Sequence, residues 1–167
     1  MALDEALCGV LAAGAEKERA AHDFYTQAAA KTANALGKKM FGRLAEEEAR
    51  HEQLLRSWAS QGACPANVKF PVHDKDFVAR GREKAAKAVK PQTTDLEAIE
   101  LGQEMERKAI RFYEDGAGGA SDAASRDLLL RLKAEEEKHL ALLVDLYEYM
   151  KDPGIWSVRD GGAHFDS

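Results

Sequence analysis

The sequence predicts an all-α fold, an antiparallel four-helix bundle assembled from two copies of one helical hairpin. The first observation behind this is an internal repeat. Residues 14–55 align on 102–143 without a gap and share sixteen identities in 42 positions, at an offset of 88. The second is composition: 45% hydrophobic and 32% charged residues, rich in Ala, Leu, Glu, Lys and Arg, describe water-facing helices with one apolar stripe each. The third is punctuation, since caps and helix breakers fall at four matching places along the chain.

The first helix opens on Asp4 as N-cap and runs to about Lys31. The second starts near Asn34 and ends before Gly62, with Pro65 as the stop signal. The third follows Pro91, and Thr94-Asp-Leu-Glu97 reads as a capping box in which hydroxyl and carboxylate satisfy free backbone N–H groups. That helix ends within Gly116–Gly119. The fourth begins at Ser121 or Asp122 and runs to about Lys151, where Asp152-Pro153-Gly154 stops it. The connections at Thr32–Asn34 and Gly116–Ser121 are short and make antiparallel hairpins. The middle one, residues 62–93, is long enough to cross the bundle and holds an expected short helix from Asp74 to Val89. Two hairpins joined by such a crossover is the ferritin-like connectivity. At 167 residues the chain is expected to be one domain: halves 4–61 and 94–151, the crossover, and a tail over 152–167 carrying Ile155, Trp156 and Phe165.

What recurs in the repeat is chemical. Glu18 matches Glu106, Glu48 and His51 match Glu136 and His139, and Phe24-Tyr25 match Phe112-Tyr113. A helix turns 100° per residue, so Leu44, Glu48, His51, Leu55 and Trp58 share one face, as do Leu132, Glu136, His139, Leu143 and Leu146. In each row a carboxylate and an imidazole interrupt an apolar, core-facing stripe. Four buried carboxylates repel one another and lose hydration. Two divalent cations offset their charge, and two neutral imidazoles complete the donor set, a mixture suited to iron or manganese. One Glu-x-x-His pair is weak evidence; two in repeat register, each preceded by a Glu at matching distance, are not. Within Glu46–Glu48 and Glu135–Glu137 only Glu48 and Glu136 have His three residues on, and the others are expected to face solvent. Tyr25 and Tyr113 fit either a packed core with a bonded hydroxyl or a role orienting ligands and relaying protons. They are the candidate catalytic residues. His22 faces Ile110 in the repeat and is assigned to packing or surface, while His73 and His164 are assigned to solvated loops.

The runs Glu16–Tyr25, Glu104–Tyr113, Glu47–His51 and Glu135–His139 resemble rubrerythrins of the ferritin-like superfamily over residues 4–150. The resemblance implies a diiron-carboxylate centre with Glu18, Glu48, His51, Glu106, Glu136 and His139 as ligands, with manganese or zinc as substitutes for iron. It implies an oxidoreductase that reduces peroxide or activates dioxygen, or else oxidises ferrous iron. Two departures stand out. The paired CxxC motifs of a rubredoxin domain are absent, which calls for a separate electron donor, rubredoxin-like or small. An additional third-helix Glu of many rubrerythrins is replaced by Ala109, mirrored by Ala21, leaving a symmetric six-ligand set closer to bacterioferritin-type centres.

The net charge of −5 provides no basic footprint for nucleic acid. No signal peptide and no run of 18 apolar residues is evident, which points to the cytoplasm, and the lack of a strongly apolar membrane-facing helix stripe lowers the case for a membrane-associated quinone hydroxylase. Cys8 and Cys64 read as two lone cysteines suited to a reducing compartment, with a disulfide left open. The symmetric repeat makes a homodimer the expected assembly.

Overall fold

A computed structural model describes residues 3–64 and 93–152, which form four long helices: α1 (Glu5–Lys31), α2 (Ala35–Gln61), α3 (Asp95–Gly119) and α4 (Ala123–Lys151). The expected short helix over 74–89, His73, His164 and the tail from residue 153 lie outside the described residues. Each helix begins where a polar side chain meets a free backbone N–H. Asp4 accepts from Leu7 N, Asn34 from Gly37 N, and Asp122 from Ser125 N. The capping box closes α3, with Thr94 accepting from Glu97 N and Glu97 accepting from Thr94 N.

α1 pairs along its length with α2, and α3 with α4; the two hairpins then meet through α1 against α3 and, more sparsely, α2 against α4. Tyr25 of α1 reaches Gly102 of α3, and Tyr113 of α3 reaches Gly14 of α1, so these two helices are also antiparallel. This is the ferritin-like four-helix bundle.

Two apolar clusters fill the bundle, one toward each end. Phe24, Tyr25, Phe41, Leu44, Ile99, Leu143 and Leu146 build the first, around the short connection between α1 and α2. Leu11, Leu55, Tyr113, Leu129 and Leu132 build the second, at the opposite end. Burying such side chains stabilises the fold by about 1.5–3 kcal/mol each. Between the clusters lies a layer of buried polar groups: Glu18, Glu48, Glu106, Glu136 and His139. The apolar plugs above and below close off the layer along the bundle axis and lower its local dielectric.

The cysteines depart from the expectation of two lone thiols. Cys8, near the start of α1, and Cys64, just past α2, form a disulfide across 56 residues of sequence. The antiparallel hairpin brings the two helix ends together, and Leu3 N donates to Gly62 O at the same place. Disulfides persist mainly in oxidising compartments. Cysteine usage therefore no longer points to the cytoplasm.

Candidate metal centre

All six residues of the doubled motif converge in the polar layer. They form two groups, Glu18–Glu48–His51–Glu136 and Glu48–Glu106–Glu136–His139, in each of which one donor atom per residue lies within 4.8 Å of the others. Glu48 and Glu136 belong to both groups. Glu18 and Glu106 each belong to one, as do the two imidazoles.

The local geometry follows from the repeat. His51 Nδ1 faces Glu136 Oε1 at 3.1 Å, Glu48 Oε2 at 3.5 Å and Glu18 Oε2 at 3.6 Å. His139 Nδ1 faces Glu48 Oε1 at 3.0 Å, Glu136 Oε2 at 3.5 Å and Glu106 Oε2 at 3.9 Å. Each ring thus meets the Glu of its own helix, the Glu of the opposite motif helix, and the lone Glu of its hairpin partner. The rings stack with centroids 5.5 Å apart and planes 15° from parallel. Glu48 Oε1 and Oε2, Glu136 Oε1, His51 Nδ1 and His139 Nδ1 are buried without a hydrogen-bond partner. The imidazole nitrogens lie within ion-pair reach of these oxygens without forming aligned hydrogen bonds, and a buried polar atom left so incurs a substantial desolvation cost. Carboxylate oxygens and imidazole nitrogens in this arrangement fit divalent first-row metal ions.

The tyrosines cross between hairpins. Tyr25 of α1 donates to Glu106 of α3, and Tyr113 of α3 donates to Glu18 of α1. Both rings are fully buried. Burial first, then the negative charge of the bonded carboxylate, pushes both phenols well above their ordinary range, so they remain donors. Room for them comes from a pair of glycines at the repeat offset. A Cβ at Gly102 would lie 3.2 Å from Tyr25 Cε1, and one at Gly14 would lie 3.5 Å from Tyr113 Cε1 and 3.1 Å from Leu55 Cδ1. Each glycine stands one turn before the Glu that receives the hydroxyl. In the sequence their one signal is an interior helical glycine that recurs at the repeat offset.

Taken on protein groups alone, the layer balances its charge with protons. Burial raises Glu18 and Glu106 well above the usual carboxylate range, reinforced by the charges on Glu48 and Glu136. Burial opposes ionisation of Glu48 and Glu136 too, but the surrounding proton donors outweigh it and hold both below that range. Burial would also lower His51, yet Glu136, Glu18 and Glu48 around it push it up to about 12. His139 is raised for the same reason. Protonated imidazoles occupy the electrostatic role that cations would take.

Among the remaining residues, His22 Nδ1 lies 2.8 Å from Ala45 O, a packing tie between α1 and α2 in keeping with its expected role. Glu46 is exposed, as expected. Glu47 is not simply solvated: its Oε2 lies 2.7 Å from His139 Nε2 and its Oε1 accepts from Arg43 Nε at 3.1 Å. Helix packing at the α2–α4 seam, invisible to spacing within one helix, brings this carboxylate against an imidazole of the other hairpin.

Comparison with known proteins agrees with this picture. No curated protein matches the chain. A hypothetical protein from Pyrococcus furiosus shares the fold with a TM-score of 0.69 and 23% sequence identity, over 89% of this chain and 90% of that one. The rubrerythrin family model matches residues 10–147, spanning all four helices and every residue of the polar layer, and the chain belongs to the rubrerythrin family.

Proposed function

We propose that the chain is a non-haem diiron oxidoreductase that reduces peroxide or activates dioxygen at this polar layer. The supporting observation is the set of buried, unpartnered donor atoms on Glu48, Glu136, His51 and His139, which share two convergence points. Glu18, Glu48, His51 and Glu136 would hold one ion, and Glu48, Glu106, Glu136 and His139 the other. Iron in this position supplies the electrons that cleave an O–O bond, and manganese or zinc could occupy the same donors.

The chain's own residues do the rest. Tyr25 and Tyr113 hold Glu106 and Glu18 by hydrogen bonds from the opposite hairpin, which limits how far each carboxylate can swing. Because burial opposes phenolate formation, the tyrosines orient rather than donate protons outright. Glu18 and Glu106 hold protons in the metal-free layer and would release them on becoming metal ligands. His51 is 12% exposed against 3% for His139, which supports the His51 side as the approach for a small oxidant. Cys8 and Cys64 are joined to each other, and a rubredoxin-like or small electron donor is part of the proposal. A homodimer is part of the proposal, and sedimentation velocity tests it.

Anaerobic titration with Fe²⁺ should saturate at two ions per chain. One equivalent of peroxide should then be consumed with appearance of ferric absorption, and an added reductant should allow repeated turnover. Failure to bind iron, or peroxide loss no faster than with free Fe²⁺, would overturn the reading. A second reading, oxidation of ferrous iron for storage or delivery, is favoured by one observation: Ala21 and Ala109 leave the centre symmetric, without a further carboxylate. It requires ferric product to leave the centre and fresh Fe²⁺ to replace it. No helix among the described residues is long and apolar enough to cross a membrane.

A further inference from the structure

Glu47 stands outside the six-residue layer yet touches it at one point. Neighbouring helix positions are 100° apart, so Glu48 points into the layer while Glu47 points along the α2–α4 seam. There its Oε2 meets His139 Nε2 at 2.7 Å, while the other nitrogen of the same ring, Nδ1, faces Glu48 Oε1 at 3.0 Å. Arg43, one turn earlier on α2, holds the second oxygen of Glu47. The result is a relay of fixed contacts from Arg43 through Glu47 to the outer edge of His139. A carboxylate on Nε2 selects the ring form with its proton there, leaving the Nδ1 lone pair directed at the centre.

The other half of the molecule lacks this device. Glu135 occupies the repeat position of Glu47, but its Oε1 bonds Lys138 Nζ at 2.7 Å and its side chain is 41% exposed. Among the described residues, the contacts of the His51 ring, which Glu135 would serve, are to the inward-facing Glu18, Glu48 and Glu136 and the ring of His139. We propose that Glu47 is a positioning residue for His139 and that it makes the two halves of a sequence-symmetric centre unequal, with the tighter metal position on the His139 side. This rests on the dimetal reading of the layer.

Titration of the full-length protein with Co²⁺ at neutral pH, followed by visible absorption and by competition with a chelator, tests it without reference to activity. The native protein should bind two ions of unequal affinity. Glu47→Ala should weaken the tighter by about 10–100-fold, the usual effect of losing a carboxylate behind a ligating imidazole, and leave the other unchanged. Glu47→Gln, whose amide oxygen can accept the same N–H, should restore most of the loss, and Glu135→Ala should behave as native. Two unperturbed sites in Glu47→Ala, equal weakening by Glu135→Ala, or no rescue by Gln would overturn the positioning role. Fewer than two ions bound by the native protein would instead remove the dimetal reading beneath it.

Discussion

Replacing Tyr25 with Phe removes one buried oxygen and nothing else. The ring stays packed between Phe24, Phe41 and the surface opened by Gly102, but Glu106 loses its donor from the opposite hairpin. In the metal-loaded protein Glu106 is ionised, and a hydrogen bond to a charged group is worth about 1.5–3 kcal/mol. For a chain of this size that corresponds to a melting temperature lower by roughly 3–12 °C. In the chelator-treated protein Glu106 holds a proton, because burial and the charges of Glu48 and Glu136 raise its affinity. The lost bond is then between neutral groups and the expected loss falls to about 0.5–1.5 kcal/mol. Thermal denaturation followed by circular dichroism, with and without bound metal, measures both figures. Tyr113→Phe should reproduce them, since Tyr113 and Glu18 form the repeat-related pair. Equal losses with and without metal would refute the coupling of the tyrosines to ligand charge. Melting within a degree of native in both states would reduce the hydroxyls to packing.

Other expected outcomes follow from the same layer and its supports. In chelator, stability should fall as pH rises above 6.5, because His51 is held at about 12 in the folded chain and the folded state therefore binds more protons than the unfolded one. Urea midpoints at pH 6, 8 and 10 would show it, and a rising midpoint would contradict it; bound metal, which displaces those protons, should abolish the fall. Glu47 is held down at about 2 by His139, against an ordinary 4.5, so its contribution is present above 4.5 and disappears as pH falls toward 2. Gly102→Ala should destabilise by about 1–3 kcal/mol through overpacking on Tyr25 and Leu143. Gly42→Ala, with open space around its Cβ, should stabilise by about 0.5–1 kcal/mol in the same melting assay. The double variant Cys8→Ser/Cys64→Ser should lose about 4 kcal/mol if the closed loop acts through chain entropy. A change near zero in denaturant unfolding would show that the hairpin already holds these ends together.

Local signals reached far in this chain because each element carries its own instructions. Asp4, Asn34, Thr94 and Asp122 cap helices within a residue of where sequence places them, since capping depends on a side chain and the next three backbone N–H groups alone. The layer residues were legible for a similar reason: helical periodicity assigns Glu48, His51, Glu136 and His139 to inward stripes without knowledge of neighbours. Glu47 was misassigned to solvent because its partner, His139, lies 92 residues away on another helix. The pairing of Cys8 with Cys64 likewise depends on where two helix ends meet.

The sequence by itself determined four helices, two hairpins and one doubled set of carboxylates and imidazoles, because caps and periodicity act over a few residues. Only the tertiary structure decided which hairpin serves which. Tyr25 holds the carboxylate of the opposite hairpin, Gly14 and Gly102 open the space for that crossing, and Glu47 meets one imidazole while Glu135, its repeat mate, turns to Lys138 instead. Those relations depend on the distance and rotation between packed helices, which no periodicity within a single helix contains.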